Sequence, residues 1–196
     1  MENNNKVRIL EMAHQLFDAR GYRNVTIQDL ADKLGMSKKT IYQYFTSKEE
    51  IATEVVEESM RHFNEIMITT EMPVEDPLSE IREMLGHAKD ESTRFSPLFL
   101  MDIEKYLPDL FRRYRQFRDE KKKGIEQLLK NAQDMGLVRD IPIHLATQIL
   151  SVSLKALVKS EFFTQHGYSM SDVLNLFLEI FCNGIAATDA VDKKHK

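Results

Sequence analysis

At 196 residues the chain suits one large or two small domains, and roughly 70% of its unfolded surface can be buried on folding, so no covalent staple is required. Gly (7) and Pro (5) are sparse, Met (10) is frequent and 30% of residues are charged, with no β-branched alternation; this composition predicts an all-helical protein. The lone cysteine, Cys182, excludes an intrachain disulfide and a thiolate metal site and fits a reducing cytoplasm. No signal peptide is expected, and no apolar run approaches the ~20 residues of a membrane span.

The net charge of −4 is unevenly spread. Residues 1–50 hold eight Lys/Arg against seven Asp/Glu, and the remainder nineteen against twenty-four. Any polyanion contact is therefore expected as a local patch near the N-terminus.

Met1 to Asn5 is polar, with Lys6 and Arg8 following as possible reaches to a phosphate. Between Lys6 and Arg20, Ile9/Leu10, Ala13 and Leu16/Phe17 recur at helical spacing, and Gly21 ends that helix. His14, beside the stripe, reads as structural or solvent-facing. Thr26 is placed as an N-cap with Asp29 at N3 and a Val25–Leu30 staple. The helix it opens runs from Ile27 to about Leu34. Gly35 makes the turn, and Ser37 caps the next helix, with Met36 and Ile41 at staple positions. Ile27, Leu30 and Leu34 form one apolar face, Ile41 and Phe45 another, and Ala31 is small where helices must cross. This is the pattern of a helix-turn-helix, whose second helix lies in a DNA major groove. Its outer face carries Lys38, Lys39, Thr40, Tyr42, Gln43 and Tyr44. From Met36 to Lys48 there are three lysines and no acid, a composition suited to phosphates and base edges.

Ser47 and Glu50 form a capping box for a helix reaching about Thr69 through Ile51, Val55, Met60, Phe63 and Met67. Its length, about 33 Å at 1.5 Å per residue, lets it leave the first domain and pack into the second. Glu58, His62 and Glu65 share one face and read as plain surface. Glu57 and Glu58 are expected on the outer side of this helix. Pro73 breaks the pattern. Asp76-Pro77 restarts a helix that fades near Phe95, Ser96-Pro97 begins a short one, and Pro108 begins a long one ending before Gly136, with Gly124 as a candidate bend. The run Asp119 to Lys123 reads as a solvated face. Two segments, Pro142 to about Phe163 and a Ser171-capped helix from Val173 to Ile185, are apolar over most of their circumference. One core covers only one side of each, so a second subunit is expected, with Ile149, Leu157, Val173, Phe177 and Phe181 at its interface.

The first fifty residues resemble the DNA-binding domain of the TetR family (TetR/AcrR type) of bacterial transcriptional regulators. The residues that carry the likeness are Ala13, Leu16 and Phe17; Gly21-Tyr22; Thr26-Ile27; Leu30-Ala31; Gly35-Met36; Thr40-Ile41-Tyr42; Tyr44-Phe45; and Lys48. The resemblance covers about a quarter of the chain and is more specific than a helix-turn-helix alone. It implies an all-α architecture: a three-helix DNA-binding domain at 1–47, then a dimerising, ligand-binding bundle at 48–196, about nine helices in all. It assigns Thr26, Thr40 and Lys48 to phosphates, Tyr42 and Tyr44 to phosphates or bases, Gln28 and Lys38 to base edges, and Lys39 to either. It also implies a small, mostly apolar effector held within 77–133, where Met84, Phe95, Phe99, Tyr114 and Phe117 supply apolar lining and His87 and Tyr106 polar handles. The long helix from Lys48 is then the lever between effector and DNA.

An enzyme would need a nucleophile with its base, a carboxylate pair, a metal cluster or a phosphate loop. The histidines are scattered, Cys182 lies among apolar residues, and no Gly-rich loop is present, so neither catalysis nor a cofactor is expected. The expected protein is a cytoplasmic, nucleoid-associated homodimer that binds an operator in double-stranded DNA, represses, and is released by a small effector. The alternative is an effector-free architectural or activating DNA-binding dimer.

Overall fold

The computed structural model describes residues 2–68, 86, 94–160 and 162–187. The described helices are α1 (Glu2–Asn24), α2 (Ile27–Leu34), α3 (Lys38–Tyr42), α4 (Lys48–Ile68), α5 (Pro97–Tyr106), α6 (Pro108–Asp134), α7 (Ile143–Lys159), α8 (Phe162–Gln165) and α9 (Met170–Ile185). The protein is all-α, and among the described residues the one piece of sheet geometry is an isolated antiparallel bridge, Val138 to Ala186. Two compact units emerge: residues 1–64 with 94–118, and residues 65–93 with 119–196.

The first unit is built around α1. Ile9, Leu10, Ala13, Leu16 and Phe17 are all buried, as the helical spacing requires. They share one core with Val25, Leu30 and Ala31 of the α2 region, with Ile41 and Phe45, with Ile51, Ala52, Val55 and Val56 of α4, and with Phe95, Phe99, Ile103, Leu107, Leu110 and Tyr114. Phe17 stacks on Phe99 with centroids 5.3 Å apart, and Phe95 meets both Phe99 and Tyr114 edge-on. α5 therefore packs along α1 directly. Polar bonds fix the same contact. His14 Nε2 lies 2.8 Å from the Arg94 carbonyl and 3.1 Å from Asp18, and Asp18 Oδ1 accepts from the Ser96 amide at 2.8 Å. The Asp18 hydrogen bond raises the His14 pKa against the pull of its own burial. On the other side, α4 meets α6 through an Arg113–Glu57 ion pair and an edge-on Phe63–Phe117 contact.

The second unit has its own core of Leu129, Ala132, Val138, Leu150, Leu154, Leu174, Leu178, Cys182 and Ile185, with Leu157, Phe177 and Phe181 packed at its edge. The chain after α9 pairs back on the end of α6: the Arg139 amide donates to the Ile185 carbonyl at 2.8 Å and the Ala187 amide to that of Leu137 at 2.9 Å. The buried Thr147 hydroxyl donates to Glu126 at 2.9 Å. Leu145, Ile149 and Val152 of α7, and Leu176 and Ile180 of α9, stay exposed at i, i+4 and i+7 spacing.

Several expectations are corrected. Ser47 caps α4 through the Glu50 amide at 3.0 Å, but the Glu50 carboxylate turns one residue further back, to the amide and hydroxyl of Thr46 at 2.5 and 2.6 Å, so the box is not reciprocal. The helix expected up to Phe163 ends at Lys159, where Ser160 is extended, and α8 is separate. Ser169, not Ser171, caps the last helix, accepting from the Asp172 amide at 3.2 Å. Either serine fits the sequence pattern; only Ser169 has an acid three residues on to complete the turn. α6 runs through Gly124 within one helix. Glu57, expected on the outer face of α4, is instead occupied by Arg113. Of the effector-lining candidates, Phe95, Phe99 and Tyr114 are buried in the first core, Phe117 is half-buried on Phe63, and Tyr106 faces solvent, while Met84 and His87 lie outside the described residues.

Phe99 has no exposed surface and packs against aromatic neighbours within its core. Phe99→Ala should cost about 3–5 kcal/mol, because the neighbours of a removed ring relax only partly. Urea denaturation checks this; a loss below about 1 kcal/mol would mean that α5 does not hold α1 as described.

Candidate nucleic-acid interface

α2 begins at a complete capping box. Thr26 Oγ1 accepts from the Asp29 amide at 3.1 Å, and the Asp29 carboxylate accepts from the Thr26 amide at 2.8 Å and hydroxyl at 2.5 Å. These bonds, with Arg20 at 3.3 Å, hold the Asp29 carboxyl below its ordinary pKa. Gly35 ends α2 at φ +64, the left-handed conformation that a side chain resists, and its amide closes the turn. Ser37 opens α3 by accepting from the Thr40 amide at 3.0 Å, and it shares a 2.9 Å hydroxyl contact with Thr40. α3 proper is short, but i to i+4 amide bonds continue to Phe45. Ile41 and Phe45 are thereby turned into the core, and the other face of the segment is presented outward.

That outer face carries exposed Lys38 and Lys39, and Tyr42 with 51% of its surface open. Thr40 and Tyr44 are half-exposed beside them. Tyr44 is held: its hydroxyl accepts from Asn5 Nδ2 at 3.3 Å, which brings the start of α1 to the recognition segment. Gln28 is exposed on α2 and donates to Asp32 at 2.6 Å. Arg8 Nη2 reaches the last carbonyl of α2, Leu34, at 3.4 Å. Lys6 is paired with Glu54 at 3.2 Å and lies 5.6 Å over the Phe45 ring, so it closes the domain rather than extending it.

Lys48 differs from the other predicted contacts. Its ammonium donates to the carbonyls of Tyr22 at 2.9 Å and Val25 at 2.8 Å, with Arg23 O at 3.5 Å, and it stands 4.3 Å over the Tyr22 ring. Burial lowers its pKa, opposed by Asp102 and Asp29. Its protons are engaged in joining α4 to the end of α1. A phosphate at Lys48 would compete with those bonds.

The arrangement is a tri-helical support presenting a short basic segment, and its sequence has known kin. Residues 9–55 match the family model described as bacterial regulatory proteins, tetR family. These residues form a DNA-binding domain of the TetR type. A relative along nearly the whole chain is the uncharacterized HTH-type transcriptional regulator YvaF of Bacillus subtilis (strain 168), 25% identical over 94% of this chain and 97% of its own. The TetR-family transcriptional regulator PfmR from Thermus thermophilus superposes with a TM-score of 0.70 at 26% identity, covering 90% of this chain and 97% of PfmR. A transcriptional regulator from Saccharomonospora viridis, crystallised in complex with choline, shares the fold with a TM-score of 0.76 at 23% identity, over 94% and 98% of the two chains. The chain thus carries a TetR-type helix-turn-helix DNA-binding domain and is similar to transcriptional regulators over nearly its whole length. Among the described residues no helix is long and apolar enough to cross a membrane.

Asn5 and Glu50 are participants that the sequence pattern did not single out for these partners. Asn5 lies 39 positions from Tyr44, and no local spacing encodes that bond.

The geometry carries two predictions. Asp29 and Glu50 both have lowered pKa values, from ordinary values of 3.8 and 4.5, each chiefly through a threonine hydroxyl. Their stabilisation is present above those ordinary values and is lost as pH falls through the lowered ones. Asp29→Asn should therefore lower stability at neutral pH, and its acid unfolding, followed by circular dichroism, should depend less on pH below 4.5 than that of the wild type. Lys48→Ala should destabilise the protein by about 1–3 kcal/mol, because it strands buried carbonyls, whereas Lys38→Ala should leave the melting temperature within about 1 °C.

Proposed function

We propose that the protein is a ligand-released repressor that binds a palindromic operator as a homodimer. The observation that carries this reading is the coexistence, in one chain, of an exposed basic recognition segment and an exposed apolar stripe on α7 and α9. Ile149 is 52% and Ile180 63% exposed, each flanked by apolar residues on its own face. Leaving such a stripe in water is unfavourable, and a second copy laid against it removes the cost. The interface would centre on Ile149, with Leu157, Val173, Phe177 and Phe181 beside the second core, and a stable one buries about 1,200–2,000 Å² or more. Two-fold pairing turns two recognition segments toward a two-fold symmetric site, with half-sites about one DNA turn apart or somewhat more.

In this reading residues 1–47 bind DNA and residues 48–196 hold effector and partner. Thr26 and Thr40 hold phosphates, Tyr42, Tyr44 and Lys39 hold phosphates or meet bases, and Lys38 and Gln28 read base edges. Lys48 joins the phosphate set only by exchanging a carbonyl partner. The effector is placed within 77–133, and support for a small organic molecule comes from the related fold that holds choline. The contacts of α4 with Arg113 and Phe117 support α4 as one route by which that segment reaches the recognition domain. Release requires only that the effector favour a spacing of the recognition helices that DNA does not; typical couplings are about 1–3 kcal/mol. Binding rather than catalysis is the activity, and the cytoplasm the site of action, as DNA contact requires.

The experiment is selection of duplexes from a random library by the purified protein, followed by light scattering of the wild type and of Ile149→Asp. A palindromic consensus and a dimeric wild type are expected, with a folded monomeric variant that binds the consensus at least about tenfold more weakly. A monomeric wild type, or a non-repeated consensus, would defeat the two-fold reading.

A further inference from the structure

The end of α1 is built on a conformation that glycine alone adopts readily. Gly21 has φ 77 and ψ 157, and a Cβ placed there would stand 2.5 Å from Asp102 Oδ2 of α5. The short turn after it has backbone groups beyond the last full turn of the helix, where intrahelical partners run out. Two other elements supply them. Asp102 Oδ2 accepts from the Arg23 amide at 2.8 Å. From the start of α4, Lys48 takes the carbonyls of Tyr22 and Val25. One turn beyond Asp102 on α5, the Tyr106 ring lies 5.9 Å from the Arg23 guanidinium. Arg23 is thus held by α5 at both its amide and its side chain.

The position of this turn in the chain gives it consequence. Val25 leads into the Thr26 cap of α2, and Lys48 comes directly after the recognition segment. A shift of the turn moves both ends of the helix-turn-helix at once. We propose that Asp102 is a positioning residue for operator recognition: from α5 it fixes the end of α1, and through that end and Lys48 it sets how α2 and α3 face DNA. Residues 97–106 then reach the recognition helix through the end of α1 and the first residue of α4, independently of the Arg113 and Phe117 contacts further along α4. This rests on the operator-binding reading above.

The test uses the full chain and the duplex that wild type enriches from a random library. Affinities for that duplex and for an unrelated duplex, and their salt slopes, are compared among wild type, Asp102→Ala, Asp102→Asn and Asp102→Glu. Asp102→Ala should lose at least about tenfold in affinity for the enriched duplex, with its affinity for unrelated DNA and its salt slope unchanged, because no phosphate contact is removed. Asp102→Asn keeps an oxygen for the Arg23 amide and should recover most of the loss. Asp102→Glu keeps the charge but lengthens the arm, and should again lower the ratio of the two affinities. Amide hydrogen exchange at Arg23 should quicken in the alanine variant. A folded Asp102→Ala with an unchanged affinity ratio overturns the proposal, as does a merely lower melting temperature at constant ratio. If the alanine variant does not fold, an unchanged ratio in Asp102→Glu overturns it instead. Failure of wild type to enrich any sequence is a separate result, which removes the operator reading and this inference together.

Discussion

The first unit depends on one constraint: α1 has a single apolar stripe that must serve two neighbours. Ile9, Leu10, Ala13, Leu16 and Phe17 face the helix-turn-helix and also the rings of Phe95 and Phe99. Close-packed interiors transmit displacement rather than absorb it, since a gap of even a methylene is felt. The recognition helices and residues 95–114 are therefore parts of one packed body. That is why α5, which sequence reading places far from the DNA-binding region, is mechanically part of its support.

Electrostatics divides the same unit by task. Acids sit where helix amides are open: Asp29 at α2, Glu50 beside α4, and Asp102 on the Arg23 amide. Lys48 and Arg8 sit where carbonyls are open. Each satisfies a backbone group left unpaired near a helix end, and all but Asp102, which sits at the C-terminal end of α1, also complement the helix dipole. Lys38 and Lys39, by contrast, stand exposed on α3, in a stretch with no acid from Met36 to Lys48. A lysine already bonded to backbone contributes order, and one standing in water remains available to a phosphate. The three lysines of this stretch are alike in composition and unlike in office.

The second unit combines a closed core with an open apolar stripe. Leu150, Leu154, Leu174 and Leu178 fill the interior, while Ile149, Val152, Leu176 and Ile180 on the same two helices do not. A helix apolar all round needs cover on both sides, and one unit of this size covers one. The effector-released and effector-free readings share this feature, so they part only on the behaviour of residues 77–133.

Much of the architecture was legible in the sequence because it is local. Thr26 with Asp29, Gly35 and Ser37 act over three or four residues, and helical periodicity marks the stripes of α1 and α2 without any tertiary knowledge. The all-α class and the family resemblance rest on the same short-range pattern. What the tertiary structure decided acts over long separations. Asp102 is 79 positions from Arg23 and Asn5 is 39 from Tyr44. Their types are compatible with plain surface, and only the docking of α5 on α1 gives Asp102 its partner. Lys48 looked like its neighbours Lys38 and Lys39 for the same reason: charge and spacing specify that an ammonium is present, but burial beside three carbonyls specifies where its protons go. Even Ser169 against Ser171 was settled by which hydroxyl meets an open amide. Sequence determines which groups need partners; the packed chain determines which partners arrive within about 3 Å, because hydrogen bonds weaken steeply beyond that reach.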